Sequence, residues 1–464
     1  MSRRRLAACA ALVVGGVSLA LATPGSAAPK GPAFGAPVKI TPTAAGGYEP
    51  GVISDRFGNL YATAHKENAE LVLSPDTRSS TLTRSMSWTW YSADHGKSWN
   101  NLPGPATPVI SPDVYNHNFG DEGDMATDDA GNVYFVDTNV TDITFSSWHA
   151  DGLGKITFKN HLPLAAFGEP LDDRPWVTAH KDGHVFYFGN EGNTTYAAAH
   201  MGEAYGPGSG AGRYTVYAST DGGLTWGDHL GIQLKDSGWC RPAAAPNSSY
   251  VYALCGNDGG KLYSYVSKND GLYWDRYEVP GGYTAFGGGG FESYPTLQVL
   301  KDGTLWGSYL DPDKENCRKG SVATCSHMYA YRSTDHGRHW TRFDLTPKAQ
   351  KSYQMEYGWL SVSPDGKKLG YAVYARPTTK DAWSIYATTM SVGQKPVLTK
   401  LDPVPVTQAG YPEAPGDFLM CAFDPAGKLT VTWTRATQQI VVPDGGTGEG
   451  TRSLFRDIYS ATSK

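Results

Sequence analysis

The chain of 464 residues is poor in charge and contains few cysteines. Charged residues make up 18 % of the sequence, and the formal net charge is only −5. No cluster of lysine and arginine follows the N-terminal segment, and a protein that binds nucleic acid or an anionic membrane surface usually carries one. We therefore expect no nucleic-acid partner and no membrane partner, and we expect a monomer.

Long apolar runs are also missing, apart from one at the N-terminus. Arginines at positions 3–5 precede an apolar stretch from Leu6 to Ala22, and small residues follow up to Ala28. This order is typical of a cleaved signal peptide, and the run is short for a membrane anchor and is interrupted by Gly15 and Gly16. The sequence predicts a secretory signal peptide over residues 1–28, a secreted extracellular protein, and one domain over residues 29–464.

Cysteine is scarce, with six residues in the whole chain, and Cys9 lies in the leader that is expected to be removed. Cys240 and Cys255 lie at the two ends of one predicted hairpin, and Cys317 and Cys325 bracket a short loop. Because the protein is expected to be exported, both pairs are predicted to form disulfides, with Cys421 left over and buried. The spacing does not fit a Cys-ligated zinc site. We expect no metal ligands and no cofactor, and leave a structural Ca²⁺ open.

Turn-forming and aromatic residues are abundant. The chain has 55 glycines and 30 prolines, and 12 % of its residues are aromatic. Short aromatic strands separated by turn residues are typical of an all-β protein. The glycine-rich runs lack the following Lys-Ser/Thr and helix of a phosphate-binding loop. No linker or change of composition marks a second domain.

An eight-residue motif with the spacing Ser-x-Asp-x-Gly-x-Thr-Trp recurs four times, each time after an apolar aromatic run. The copies span residues 92–99, 219–226, 267–274 and 333–340, and the third has Asn in place of Asp. An Asp side chain accepts hydrogen bonds from nearby backbone N–H groups, Gly supplies the positive φ of a tight turn, and Trp packs beneath the turn. Each copy therefore predicts a hairpin that follows a strand.

A longer pattern recurs seven times along the chain. It has a charged or polar start, an apolar strand, a turn that usually contains Gly, and a second apolar strand. Successive copies are roughly 50 to 70 residues apart, which is enough for four strands each. Seven repeats are therefore predicted, with six as the alternative count. The last repeat is one strand short, and the segment from Val38 to Thr41 is predicted to complete it by pairing near Phe455–Tyr459.

The eight-residue motif resembles the Asp box, or bacterial neuraminidase repeat, of the sialidase superfamily. The resemblance covers essentially the whole chain after the leader, at the level of repeats. It implies a β-propeller of four-stranded blades, with the boxes on the hairpins between the outer two strands. The box aspartates are then structural, because they lie at the end of the channel opposite the functional face. Where the family's first strand reads Phe/Tyr-Arg-Ile-Pro, this chain has Tyr48-Glu49-Pro50.

The candidate site is the end of the channel where the innermost strands start and the second strands finish. Polar residues concentrate at these positions, and an acidic sugar is a suitable ligand for paired carboxylates with arginines. The candidate catalytic residues are Asp121, Asp124, Glu292, Glu356 and Tyr357. The candidate substrate-binding residues are Arg174, Arg241, Asp173, His65, Arg376 and Arg435.

The resemblance also implies roles for these residues. Asp121 or Asp124 would be the acid/base, and Tyr357 would be a nucleophile assisted by Glu356 or Glu292. Arg174 and Arg241 would hold the acidic sugar, with Arg376 or Arg435 as a third arginine.

Three functions are compatible with this site, and a carbohydrate is the expected partner in the first two. The leading one is a sialidase-like glycoside hydrolase. A polysaccharide lyase acting on uronic acids is the first alternative, with His65 or a Tyr as base and Arg neutralising the carboxylate. A propeller that only binds glycan or protein is the second alternative.

Overall fold

The computed structural model contains seven four-stranded antiparallel sheets. The residues that the structure describes are 31–41, 47–66, 87–104, 122–138, 143–163, 175–191, 213–227, 231–235, 237, 239–256, 261–281, 294–312, 326–350, 352–411, 414–416, 419–442 and 451–464. The predicted leader and the pair Cys317 and Cys325 lie outside these residues. No helix among them is long and apolar enough to cross a membrane.

Each sheet is one blade, and its strands follow one another from the channel outward. Blade one is β2 (Gly47–Ser54), β3 (Leu60–Lys66), β4 (Trp88–Ser92) and β5 (Asn100–Asn101). Blade two is β6 (Glu122–Thr127), β7 (Asn132–Thr138), β8 (Ile143–Gly152) and β9 (Lys155–Pro163). Blade three is β10 (Trp176–His180), β11 (His184–Glu191), β12 (Arg213–Ser219) and β13 (Ile232–Gln233).

The next three blades repeat the order. Blade four is β14 (Trp239–Ala244), β15 (Val251–Gly256), β16 (Leu262–Ser267) and β17 (Asp275–Val279). Blade five is β18 (Thr296–Val299), β19 (Leu305–Pro312), β20 (Ser326–Ser333) and β21 (Thr341–Asp344). A 3₁₀ turn at Lys348–Gln350 precedes blade six, which is β22 (Gln354–Val362), β23 (Lys368–Arg376), β24 (Ser384–Ser391) and β25 (Thr399–Lys400).

Blade seven closes the ring with strands from both ends of the chain. Its strands are β26 (Met420–Phe423), β27 (Leu429–Val442), β28 (Thr451–Thr462) and β1 (Val38–Lys39). Val38 pairs with Ser460 and Lys39 with Tyr459, which confirms the predicted closure. The innermost strands contact one another in sequence, and β26 contacts β2, so the seven-bladed count is confirmed.

The recurrent motif forms the hairpin between the outer two strands in blades one, three, four and five, as predicted. In blade three the Ser219 hydroxyl donates to Asp221 and accepts the Gly223 N–H. Asp221 accepts the backbone N–H and the hydroxyl of Thr225, and the Trp226 indole donates to the Gly223 carbonyl. In the other three copies the Ser hydroxyl likewise donates to the Asp or Asn side chain and accepts the Gly N–H. The Asp or Asn side chain accepts the backbone N–H of the residue four positions later.

Apolar side chains between adjacent blades form the core, and one disulfide reinforces it. Cys240 and Cys255 face each other across β14 and β15 and are bonded, which confirms this predicted pair. Cys421 is free and buried between blades six and seven, as expected from the count. Trp148, Trp306 and Trp433 are among the largest fully buried side chains.

Candidate functional site

The candidate site lies at the channel end where the innermost strands begin. Asp124 is on β6, Arg241 on β14, and Glu356 and Tyr357 on β22. His65 and Arg376 are at the ends of the second strands of blades one and six, whereas Arg435 lies within β27, which continues after a bulge. The remaining candidates lie outside the described residues, namely Asp121, Asp173, Arg174 and Glu292.

Asp124 and Arg241 form a buried ion pair inside the channel. The Asp124 Oδ2 atom accepts hydrogen bonds from Arg241 Nη1 at 2.9 Å and from the Val177 N–H at 3.0 Å. Only 1 % of Asp124 and 9 % of Arg241 are exposed. Burial raises the pKa of the Asp124 carboxyl, and the Arg241 guanidinium opposes that rise. The pair joins blades two, three and four at the channel.

Two tryptophan rings lie close to the Arg241 guanidinium. The guanidinium carbon lies 4.5 Å from the centroid of Trp176, in blade three, and 5.1 Å from that of Trp359, in blade six. Both distances are within the range of cation–π attraction. Sequence reasoning missed these tryptophans, although both stand three residues after a candidate acid, Asp173 and Glu356, and this shared spacing is a usable signal.

A cavity of about 650 Å³ extends from this arginine toward the opposite end of the channel. Arg241 and Trp359 line one end, and turn residues such as Asp129, Asn247 and Lys301 line the other.

The backbone is unusual at two equivalent positions of that end. Glu49 in blade one and Tyr357 in blade six have φ angles of 53° and 54°. Each lies in a bulge of the innermost strand, between Tyr48 and Gly51 in blade one and between Glu356 and Trp359 in blade six. Non-glycine residues rarely adopt this conformation, and bulges re-aim side chains and occur often beside active sites.

Two buried glutamates flank the segment that leads into blade seven. Glu356 Oε2 accepts the Ala414 N–H at 2.8 Å. Gly416 packs against Glu49, since a Cβ on that glycine would lie 2.8 Å from Glu49 Cγ. Glu49 and Glu356 are 5 % and 2 % exposed. Both carboxylates are thus placed around one short segment, Ala414–Gly416, at the junction of blades one, six and seven.

His65 completes this group. Its Nε2 atom lies 3.4 Å from Glu49 Oε2, and its ring packs edge-on against Tyr48 with centroids 4.5 Å apart. The Glu49 N–H donates to Thr434 Oγ1 of blade seven at 3.1 Å. A buried imidazole beside a buried carboxylate is an arrangement that can accept and donate protons.

The other two candidate arginines that the structure describes have partners of their own. Arg376 donates to Gln354 Oε1 at 2.7 Å and to the Tyr411 carbonyl, and it lies 4.2 Å over Trp383. Arg435 donates to Asp402 and lies over Tyr459. Arg241, Arg376 and Arg435 therefore lie in blades four, six and seven and bond to different partners.

No protein-family model matches this chain, and no curated protein matches it. Solved structures do match. A protein of unknown function from Dyadobacter fermentans is 12 % identical, with a TM-score of 0.47, over 93 % of this chain and 99 % of that one. The GH74 enzyme of Niastella koreensis is 16 % identical, with a TM-score of 0.48, over 86 % and 52 %.

A sialidase from Trypanosoma rangeli is also similar to this chain. It is 13 % identical, with a TM-score of 0.43, over 74 % of this chain and 54 % of that one. This chain thus spans about half the length of the sialidase and of the GH74 enzyme. At these identities and TM-scores, the likenesses assign no activity to it.

Proposed function

We propose that this protein is a glycan-active propeller that hydrolyses an acidic carbohydrate at the channel end where the innermost strands begin. One observation carries the proposal: Glu49 and Glu356 are both buried, and they approach one segment from two blades, each within or beside a strained bulge. Burying carboxylates is costly, so a concentration of them at a channel end favours a functional role over a structural one. Paired carboxylates are the groups that glycoside hydrolysis requires.

The bulge in β22 also supports Glu356 and Tyr357 as a nucleophile system. Along a regular strand, neighbouring side chains point to opposite faces. The positive φ of Tyr357 interrupts that alternation, so the strand no longer forces the carboxylate and the phenol apart. Glu356 would then accept the phenolic proton as the Tyr357 oxygen bonds to the anomeric carbon and the glycosidic bond breaks, with Asp121 or Asp124 giving a proton to the leaving oxygen. Water would then cleave the bond between Tyr357 and the sugar and return the proton to the tyrosine.

The experiment is product analysis on sialosides, uronic-acid polysaccharides and neutral glycans. Hydrolysis releases a reducing sugar without a new ultraviolet absorbance. Glu356→Gln and Tyr357→Phe are each expected to lower turnover by about 100-fold or more, since each removes a group that acts on the reacting atoms. Retention of full activity in both variants would overturn these roles.

Matched controls come from residues away from the site. Tyr187→Phe removes a buried phenol in blade three, and Glu278→Gln neutralises an exposed glutamate that pairs with Lys261. Both are expected to keep wild-type turnover. Thermal melting of all four variants separates loss of activity from loss of folding.

The pairing of His65 with Glu49 favours a lyase as the second candidate. An imidazole next to a carboxylate suits a base that removes the proton α to a uronate carboxylate. A lyase would yield an unsaturated, ultraviolet-absorbing product that depends on His65. Binding without any product would leave a glycan-binding propeller instead.

A further inference from the structure

Three of the four Asp boxes place one side chain against the preceding blade. The residue after the box Asp or Asn has a positive φ in His95, Asp270 and His336, between 53° and 60°. His95 contacts Asp424 of blade seven, and His336 contacts Tyr252 of blade four. Asp270, in the box of blade four, meets the first hairpin of blade three, where His180 and His184 flank the turn.

These three side chains converge on a small volume. His180 Nε2 lies 3.1 Å from Asp270 Oδ1, and His184 Nδ1 lies 3.8 Å from the same oxygen. One possible metal-ligand atom from each residue lies within 4.8 Å of those of the other two. A tetrahedral zinc ion with bonds of about 2.0–2.1 Å separates its ligand atoms by about 3.3 Å. The observed spacings bracket that value.

The protonation of His180 leaves its Nε2 available as a ligand. The His180 Nδ1 atom lies 2.9 Å from the Ala245 carbonyl oxygen, which can only accept, so Nδ1 carries the proton. In the neutral ring with this tautomer, Nε2 carries a lone pair. A backbone carbonyl that fixes the ring in this way is the usual support for a metal-bound histidine.

This lone pair has no hydrogen-bond partner among the described residues. His180 is 1 % exposed, and neither its Nε2 nor His184 Nδ1 makes a hydrogen bond there. A lone pair facing a carboxylate oxygen at 3.1 Å is repulsive, and a metal ion between the two atoms would remove that repulsion. Lys181 supplies only part of that positive charge, because its Nζ lies 3.4 Å from both Asp270 oxygens, on a half-buried side chain.

We propose that His180, His184 and Asp270 bind a zinc ion that links blade three to blade four. Two imidazoles and one carboxylate form a ligand set that zinc accepts, with a fourth position for water. The site contains no cysteine, and it lies at the channel end opposite the candidate active site. Its role is to hold two blades together, so it does not depend on the proposed function.

The test is zinc titration of tag-free protein stripped with a chelator. Wild-type protein is expected to bind one equivalent of Zn²⁺ by calorimetry, and its melting temperature is expected to rise with Zn²⁺ concentration. Co²⁺ in the same site should give the visible spectrum of a four-coordinate ion. His184→Gln and Asp270→Asn should each weaken binding by at least about tenfold.

Two further variants make the result decisive. Lys181→Met removes the competing ammonium group and is expected to tighten zinc binding, which a destabilised protein would not do. His95→Gln is the matched control, because His95 and Asp424 form a His–Asp pair at an equivalent position without a second histidine. It should bind zinc as the wild type does. No zinc binding by the wild type, or unchanged binding in both ligand variants, would overturn the proposal.

Discussion

Arg241 of blade four donates a hydrogen bond to Asp124 of blade two across the first strand of blade three. The same carboxylate oxygen accepts the backbone N–H of Val177 in that intervening strand, so a single Asp oxygen ties three consecutive blades together. The Arg241 guanidinium also lies near the ring of Trp176 in blade three and near the ring of Trp359 in blade six. A charge buried to this extent destabilises the fold when its partner is removed. Substituting either residue therefore tests how much the pair contributes to stability.

The first prediction concerns that pair. Arg241→Met leaves a buried carboxylate without its partner, and we expect the free energy of unfolding to fall by about 3–5 kcal/mol. The double variant with Asp124→Asn should lose less than the sum of the two single changes, because the residues interact directly. Urea unfolding measures all three variants. Strictly additive losses would show that the two residues act independently.

The recurrent eight-residue motif gives a prediction of pH dependence. Partial burial raises the pKa of Asp335, but hydrogen bonds from His339 and Ser333 outweigh it and lower the pKa from 3.8 to about 2. A carboxyl with a lowered folded-state pKa stabilises the fold above its unfolded pKa, and that contribution disappears as pH falls through the folded value. The stability difference between wild type and Asp335→Asn should therefore shrink between about pH 4 and pH 2.

Thermal melting across that range measures this effect, with Glu278→Gln, at an exposed glutamate that pairs with Lys261, as the control. At neutral pH, Asp221→Ala and Asp335→Ala should each lower stability by about 1–3 kcal/mol through lost turn hydrogen bonds. Turnover by the folded fraction should not change. Loss of activity at an unchanged melting temperature would show that the functional face was assigned to the wrong end of the channel.

The closure strand gives the third prediction. Ile40 follows β1, is 7 % exposed, and packs with Ile458 of β28 in the core between blades seven and one. Ile40→Ala should cost about 2–5 kcal/mol, because it removes a buried side chain where the two ends of the chain meet. Val404→Ala, at a residue that is 43 % exposed, is the control and should have little effect. Equal melting temperatures of the two variants would mean that the closure adds nothing to stability.

Sequence features that act locally predicted the fold well. The boxes are local turns whose Ser, Asp, Gly and Trp bond within eight residues, so four copies identified the outer hairpins. The closure was predictable because the last repeat lacked a strand. Both depend on patterns that each blade carries in its own sequence.

The site was less predictable because its contacts join distant parts of the chain. Arg241 was expected to hold the acidic sugar together with Arg174, yet its partner among the described residues is Asp124, a candidate acid/base. His180 and Asp270 are 90 positions apart, and nothing in either local sequence indicates the other. Side-chain convergence of this kind depends on the rotation of one blade relative to the next.

A thiol titration provides the fourth prediction. The Cys240–Cys255 bond closes a loop with a sequence separation of 15, and its removal by Cys240→Ser with Cys255→Ser should cost about 3 kcal/mol. In unfolded, unreduced protein without the leader, one reactive thiol indicates that Cys317 and Cys325 are also bonded. Three thiols indicate that only the observed disulfide forms, and five would contradict the structure.

The last prediction tests the acidic sugar. Arg241→Lys keeps the positive charge and can still pair with Asp124, but it loses the planar group that lies near Trp176 and Trp359 and that can take a carboxylate through two parallel bonds. If Arg241 binds the sugar carboxylate, affinity for sialic or uronic acids should fall by at least about tenfold, the value of one charged hydrogen bond. If it serves only to neutralise Asp124, lysine should serve nearly as well, and only stability should change. Titrating the same sugars against Arg241→Lys and Arg174→Lys distinguishes these cases, with neutral sugars as the control. Unchanged affinity in both variants would remove the acidic-sugar hypothesis, because no carboxylate would then depend on either guanidinium.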